Sequence, residues 1–424
     1  MNRHLTIPGR WLPVVVALLL TGCNLEVEHY QSSWLHRAHQ LQRQLDQEQP
    51  LRRATFIATH NSYNAAAYTT AQSYYDPNQI HSITAQLEMD VRALELDVHS
   101  VFGQLLLCHG TDQHIGCSPF DRPLAQGLQE IATWLQQPKN QDAVLLLYIE
   151  DHSAARDRAE LAQRLLDLLG PYTYLPATPL AATGGCPLIP AGLSKAQLRA
   201  AGKNILILSD GCSSSELASV LFGGFAGADD DSGYPTLSLS MLQPAPACVD
   251  SALSQPQVQQ TFLRMQEDRT LLSRLVGNAG SRITAPVVAN LLDCEINLLG
   301  LDKLRPGDGR LRAALWSWAE GQPAADAHGR CALHNDDGHF QVAPCAGLLP
   351  YSCRDESSGQ WVLSHERGPW DAGAAVCDAL GLQFAVPFSA YDNRRLQGEK
   401  VAGAVNRAWL GYRQRGGQWQ PATD

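Results

Sequence analysis

The sequence predicts an α/β protein: a (β/α)8 TIM-type barrel followed by a small, disulfide-stapled, β-rich C-terminal domain. Three observations carry this expectation. Between residues 51 and 322, short β-prone apolar runs ending in polar residues alternate with helix-spaced segments, the pattern of a parallel sheet with helices packed around it. Beyond residue 322 the pattern gives way to Gly, Cys and aromatic residues with short strand signals. At 424 residues, the chain also exceeds one typical domain.

Taken in order, residues 1–23 open with Arg3 and Arg10 before the apolar run from Trp11 to Leu20. That run is too short to span a bilayer and has the layout of a signal peptide. Leu20-Thr21-Gly22-Cys23 resembles a bacterial lipobox. The resemblance implies an exported lipoprotein, membrane-anchored through an acylated Cys23. Asn24 is not the usual inner-membrane retention aspartate, which favours outer-membrane or surface placement. Residues 24–50 are Gln-rich with helically spaced Leu35, Leu41 and Leu45, and read as a stalk or leading helix. The barrel runs follow at 54–59, 91–98, 104–108, 144–149, 204–208, 287–292 and 311–316, with helical segments at 123–137 and 154–169. The Gly-, Ser-, Pro- and Ala-rich stretch 210–260 reads as long loops. Residues 323–424 contain an amphipathic helix, "WDAGAAVCDALG", and a hairpin with a Gly-Gly turn, "RAWLGYRQRGGQW".

Composition narrows the function classes. An apolar fraction of 45% suits a well-buried core, and a net charge of −10 leaves no basic footprint for nucleic acid. The chain has 11 cysteines. With Cys23 set aside the remainder is even, and no paired C-x-x-C occurs, so an exported chain would use them as disulfides. Cys108 and Cys117 flank a short loop and are candidates to close it, while Cys331, Cys345, Cys353 and Cys377 cluster late.

The chemistry concentrates at strand ends. The first run ends in Thr59-His60-Asn61-Ser62-Tyr63. In "VRALELDVHS", Glu95 and Asp97 are two apart and therefore on one face of a strand, with His99. Two carboxylates there are costly unless a cation pairs them, and Arg92 has the opposite parity. The third run ends in Cys108-His109-Gly110 and the fourth in Glu150-Asp151. If these strands are parallel neighbours, one rim gathers Asn61, Glu95, Asp97 and Glu150 with His60 and His109. An all-oxygen donor set favours Ca²⁺ over Mg²⁺, and Zn²⁺ would draw on the histidines. Free histidines suit acid–base work on a phosphodiester.

"THNSY", "RALELDV", "CHG" and "YIEDH", in that order, resemble the X-box core of calcium-dependent phosphoinositide-specific phospholipase C, a TIM-barrel family. The resemblance covers residues 51–155 well and the remaining barrel loosely. It implies His60 and His109 as catalytic histidines and Asn61, Glu95, Asp97 and Glu150 as ligands of one Ca²⁺. It further implies in-line attack of the inositol 2-hydroxyl on phosphorus, giving diacylglycerol and a (cyclic) inositol phosphate. The base stays open between a carboxylate and a histidine. Counterparts of the family's cations for ring phosphates are not evident; Lys203, Lys303 and Arg305 are the nearest candidates, so unphosphorylated phosphatidylinositol or another phosphodiester is the expected substrate.

Two other readings remain. One is a glycerophosphodiester phosphodiesterase-like hydrolase, although this chain lacks that family's His-Arg-Gly and Glu-Asn-Thr. The other is a catalytically vestigial surface glycan- or lipid-binding lipoprotein. The latter draws on residues 323–424, where "CALHNDDGHFQVAPC" and "AWLGYRQRGGQW" resemble a C-type lectin-like domain in permuted order. That resemblance implies Cys331–Cys345 and Cys353–Cys377 pairing; its sugar-binding Glu-Pro-Asn is approximated only by Glu320-Gly321-Gln322-Pro323.

Overall fold

The computed structural model describes residues 25–110, 114, 116–177, 186–209, 212, 214–225, 236–237, 264–275, 282–296, 298–324 and 329–422. Cys23 and the leader lie outside them. Nine strands among the described residues build the first sheet: β1 Phe56–Thr59, β2 Ala93–Val101, β3 Gln104–Leu107, β4 Leu145–His152, β5 Ile205–Leu208, β6 Thr236–Leu237, β7 Arg264–Gln266, β8 Leu298–Leu301 and, antiparallel to β3, the two-residue strand Arg122–Pro123. Parallel pairing runs in the order β6-β7-β8-β1-β2-β4-β5. Beyond β5 the array continues through a parallel bridge from Leu208 to Phe222. The residues that would join it back to β6 lie outside those described. The fold is therefore mixed α/β, built around a parallel sheet.

Two apolar layers follow from the period-2 alternation of these strands. Outward-facing Ile57, Leu94, Leu96, Leu147 and Ile207 pack with buried residues of helices α2 Leu124–Gln136 and α3 Arg158–Leu169. Inward-facing Phe56, Ala58, Ala93, Leu146, Tyr148 and Leu206 form a second cluster, plugged at the strands' N-terminal end by Leu51, Leu193 and Leu198.

Three expectations need correction. Residues 287–292 are not a strand but part of helix α4, Ala285–Asp293, which Thr284 precedes and Pro286 helps start. Residues 311–316 are not a strand either: Asp308 caps a short helix, Gly309–Ala313, by accepting from the Arg310 amide. The strand positions fall instead to β7 and β8, whose brevity hid them. Finally, β3 is antiparallel to β2, with Val98 opposite Leu107 and Val101 opposite Gln104, so it is a hairpin return and not another parallel neighbour.

The second sheet comprises β9 Cys331–His334, β10 Phe340–Ala343, β11 Leu349–Arg354, β12 Trp361–Gly368, β13 Ala408–Arg415, β14 Gln418–Pro421 and the two-residue strand Gln383–Phe384 on β11. It is largely antiparallel, ordered β10-β9-β13-β11-β12, with β14 on β13. Disulfides Cys331–Cys345 and Cys353–Cys377 staple it, and Cys108–Cys117 and Cys186–Cys212 staple the first sheet's loops. A Trp318–Phe340 bridge, with Phe340 N donating to Ser317 O at 2.6 Å, joins the two sheets' territories.

Helix α1, Trp34–Leu45, does not stand clear as a stalk. It buries Ala38, His39 and Gln42 against the chain's later half. His39 Nε2 pairs with Leu311 O at 2.8 Å, and Gln42 donates to Ala314 O at 2.9 Å while accepting from Trp316 N and Ser317 N. Its polar edge converges on buried Asp90, which pairs with Arg43 at 2.8 Å and His36 at 2.9 Å and accepts from Tyr30 Oη at 2.7 Å. Burial opposes the Asp90 charge, but Arg43, His36, His39 and Arg92 outweigh it and hold the carboxyl far below the usual range. Removing one partner of a buried ion cluster strands the others. Asp90→Ala should therefore cost about 3–5 kcal/mol in denaturant unfolding and open residues 34–45 to limited proteolysis. A variant of unchanged stability would show that α1 docks through its apolar contacts alone.

Candidate active site

The parallel register does the placing. Asp97 lies opposite Glu150, Glu95 opposite Tyr148 and His99 opposite His152, and paired residues of parallel strands share a face. That face is the interior one, directly above the inward apolar cluster. Glu95, Asp97 and Glu150 accordingly bring carboxylate oxygens within 4.8 Å of one another. Glu95 and Asp97 are buried and Glu150 is partly exposed. Burial, reinforced by the charges of Glu95 and Glu150, pushes the Asp97 carboxyl well above the usual carboxylate range.

His60 and Asn61 arrive from the end of β1. Asn61 adopts φ 46°, a left-handed conformation that asparagine tolerates better than most residues. The turn aims its backbone N–H at Glu95 Oε2, 3.2 Å away. The Asn61 side-chain amide lies 2.8 and 3.2 Å from the two Asp97 oxygens, and the orientation that satisfies both partners puts its NH2 there as a donor and its oxygen 3.2 Å from His60 Nε2.

His60 is held at its other end. Nδ1 lies 3.2 Å from Asp302 Oδ1, one residue past β8. Asp302 is in turn fixed by Arg269 N at 2.6 Å and Asn78 Nδ2 at 3.0 Å, and Arg310 bridges the Asp302 carbonyl to Glu267. Burial works against the imidazolium, yet the Asp302 hydrogen bond and the charges of Glu95, Asp302 and Asp97 outweigh it and hold His60 at about 10.

His109 sits differently. Because β3 runs back toward the sheet, Cys108 N meets Asp97 O at 3.4 Å, and His109 follows as an exposed side chain beside the Cys108–Cys117 disulfide. It thus reaches the carboxylate level through a hairpin, not as the end of a parallel strand. The fully buried His99 stacks on His152 at 4.5 Å and faces His114 Nδ1 at 3.0 Å. Burial, His152 and His114 push it down to about 4. His152 Nε2 meets Glu150 Oε1 at 2.7 Å.

Sequence reasoning missed several members. Gln266, ending β7, donates to both Glu95 oxygens at 2.8 and 2.9 Å. Tyr63 Oη donates to Asp97 at 2.8 Å and approaches Asn61 Oδ1 at 3.3 Å. Gln266 and Asp302 obey the same rule that found His60, a polar residue closing an apolar run, and were hidden by misplaced strands. Of the candidate cations, Lys203 is bound to Gly170 O and Pro171 O, before β5 and hence at the sheet's opposite end. Lys303 and Arg305 follow β8 at the rim, and Arg305 is exposed. The would-be sugar-binding stretch is used internally: Glu320 pairs with Arg312, Gln322 O accepts from Trp34 Nε1 and Gln322 Oε1 from Val342 N.

A family model described as "Rv2075c PI-PLC-like domain" matches residues 16–308. Two Mycobacterium tuberculosis proteins, uncharacterized protein MT2135 of strain CDC 1551 and uncharacterized protein Rv2075c of strain H37Rv, are each 33% identical over 404 residues, covering 90% of this chain and 80% of theirs. Among solved structures, the phosphatidylinositol-specific phospholipase C of Listeria monocytogenes aligns with 66% of this chain and 97% of its own at 16% identity and a TM-score of 0.40. By the extent of the family match and of its mycobacterial relatives, the chain belongs to the Rv2075c PI-PLC-like domain family.

Proposed function

We propose that this chain is a calcium-dependent phosphodiesterase of the phosphatidylinositol-specific phospholipase C type, with one Ca²⁺ held by Asn61, Glu95, Asp97 and Glu150. The observation that carries the reading is the trio of converging carboxylates, Glu95, Asp97 and Glu150, with the Asn61 amide beside Asp97. Three carboxylates, together with the amide oxygen that Asn61 can turn toward them, fit a hard, loosely coordinated cation, which would also offset the crowding that pushes Asp97 up. The hydrogen bonds from Gln266 to Glu95 and from His152 to Glu150 orient the carboxylates as outer partners of metal ligands do.

When bound, Ca²⁺ would supply charge neutralisation at the phosphodiester and acidify a neighbouring hydroxyl. The remaining work falls to the chain. His60, kept protonated and oriented by Asp302, donates to a phosphoryl oxygen and stabilises the charge that grows there during in-line attack. In this reading His109, exposed at the mouth, protonates the departing glyceryl oxygen, and the attacking hydroxyl gives up its proton to a carboxylate or histidine of the site. Asp302 receives no proton; it accepts from Nδ1–H and holds the His60 imidazolium charged and in position. The substrate is an inositol-type glycerophospholipid without the ring phosphates that would need a cationic cradle, since Lys203 is committed elsewhere. The exported, Cys23-anchored placement remains part of this proposal. A glycan role for residues 323–424 gains no support from Glu320 and Gln322, whose polar groups are engaged within the chain.

The metal is tested by thermal unfolding. Calcium at a hundredfold excess over its dissociation constant should add about 2.7 kcal/mol of stability, and Asp97→Asn should abolish most of it. No stabilisation, together with activity that survives chelator, would sink the assignment and leave a protonated Asp97 as the answer to the crowding. The histidines are tested by turnover on phosphatidylinositol and on a soluble phosphodiester. His60→Ala and His109→Ala should each lower kcat by roughly two to four orders of magnitude. Asp302→Asn should lower kcat with little change in KM. Loss of His60→Ala activity only through unfolding would return His60 to a structural role.

A further inference from the structure

His99 and His114 take no part in the proposed chemistry, and the first is placed at odds with its surroundings. His99 is fully buried on β2. Its Nδ1 faces His114 Nδ1 at 3.0 Å, so one proton serves both nitrogens. Its Nε2 has no hydrogen-bond partner among the described residues. Buried polar atoms are nearly always paired, and an orphan calls for a strained, redox or ligand-binding explanation.

The strand register brings sulfur to the same place. In the antiparallel β2–β3 pair, His99 lies opposite Leu106 and Val98 opposite Leu107. One step further sets Cys108 opposite Asp97, and the Cys108 amide indeed meets Asp97 O at 3.4 Å. Opposite residues share a face, as do residues two apart, so Cys108 stands on the inner face with Asp97 and His99. Cys117 joins it there through the disulfide. A ring nitrogen of His99 and the two sulfurs consequently lie within 4.8 Å of one another. Donors around a tetrahedral Zn²⁺, with bonds of about 2.0–2.3 Å, stand about 3.3–3.8 Å apart, so the trio is close to a metal-binding spacing. Thiolate and imidazole are also the donors that select zinc, whereas the neighbouring carboxylates suit a hard cation. In the disulfide, however, the two sulfurs are spent on each other.

Two features mark this staple as the one to open. Among the described disulfides its sequence separation is the smallest, 9 residues against 14, 24 and 26, and loop closure contributes least where the loop is shortest. Cys108 is buried but Cys117 is partly exposed, which gives an incoming thiolate one sulfur to attack. Cys345 is partly exposed as well, yet among the described residues no histidine joins Cys331 and Cys345 in a donor cluster.

We propose that Cys108, Cys117 and His99 form a zinc site that exists only when their disulfide is reduced. A protein dithiol attacks Cys117 Sγ, Cys108 leaves as the thiolate, and the second sulfur of the dithiol resolves the mixed disulfide. Two electrons and two protons pass to the cysteines, and the dithiol becomes a disulfide. Zn²⁺ then displaces the two thiol protons and takes His99 Nε2, with the fourth position left to water. His114 holds the opposite ring nitrogen, as partners behind metal-bound histidines do. The assignment stands apart from the phosphodiesterase reading, because it is read by metal binding alone.

The test uses the full chain, either oxidised or briefly treated with a dithiol that is then removed without oxygen. Co²⁺ is the probe, since thiolate ligation gives it an intense charge-transfer band that carboxylates do not, and excess Ca²⁺ occupies any carboxylate site. The reduced chain should bind one Co²⁺ with that band, Zn²⁺ should displace it, and the oxidised chain should show none. Alkylation of the briefly reduced chain should label Cys108 and Cys117 before the other cysteines. Groups that merely orient metal ligands are worth about 10–100-fold in affinity, so His99→Gln and Cys117→Ser should each weaken Co²⁺ binding by about a hundredfold. Cys117→Ser changes a partly exposed atom and still reports if the buried His99 variant fails to fold. A reduced chain without the band, a folded variant that binds like the parent, or labelling that falls first on another pair would overturn the proposal.

Discussion

Three carboxylates cannot be crowded onto the inner face of a parallel sheet without something to offset their repulsion, and much of the molecule is arranged around that constraint. The parallel register between β2 and β4 brings Asp97 and Glu150 side by side. The apolar layer beneath removes solvent from below. What remains is a set of offsetting donors: Gln266 on Glu95, Tyr63 on Asp97 and His152 on Glu150. Each comes from a different strand end or loop, so the site depends on the whole rim being assembled. His60, leaning on Asp302 across the sheet order from β8, belongs to the same field: the carboxylates that need compensation are also what keep its imidazole charged.

Much of this was legible in the residues alone. Two-residue spacing put Glu95 and Asp97 on one face before any pairing was known, and a polar residue closing an apolar run located His60, Asn61 and Glu150. What stayed hidden was non-local. Nothing within "CHG" says that its strand runs antiparallel, because direction is set by a two-residue turn whose first member is Phe, not the Asn or Gly that would announce it. Asp302 and Gln266 were missed because β7 and β8 span only 264–266 and 298–301. Runs so short lose to longer apolar stretches nearby, and those stretches are helical because Thr284, Pro286 and Asp308 begin helices there.

The disulfides show the same division between local and distant information. Cys108–Cys117 closes a loop short enough to read from spacing, and Cys331–Cys345 and Cys353–Cys377 follow the pairing that resemblance implied. Cys186–Cys212 spans 26 residues across β5, a separation too wide to read from spacing. The leading segment, Gln-rich and outwardly soluble, gave no sign that Gln42 would spend its side-chain amide on Ala314, Trp316 and Ser317.

That last arrangement governs the order in which the polypeptide can become a protein. Helix α1 is synthesised near the start, but the carbonyls and amides that receive it belong to residues 311–317, the last part of the first sheet's territory. An isolated twelve-residue helix is marginal in water, so this segment waits, unstructured and protease-accessible, until nearly three hundred further residues have been made and folded. Contacts of such long sequence separation form late and slowly. The beginning of the chain is therefore the last thing to close. Until it does, Asp90 and Lys195 lack their partners on the leading segment, a window in which a chaperone that recognises the open flank would find its target.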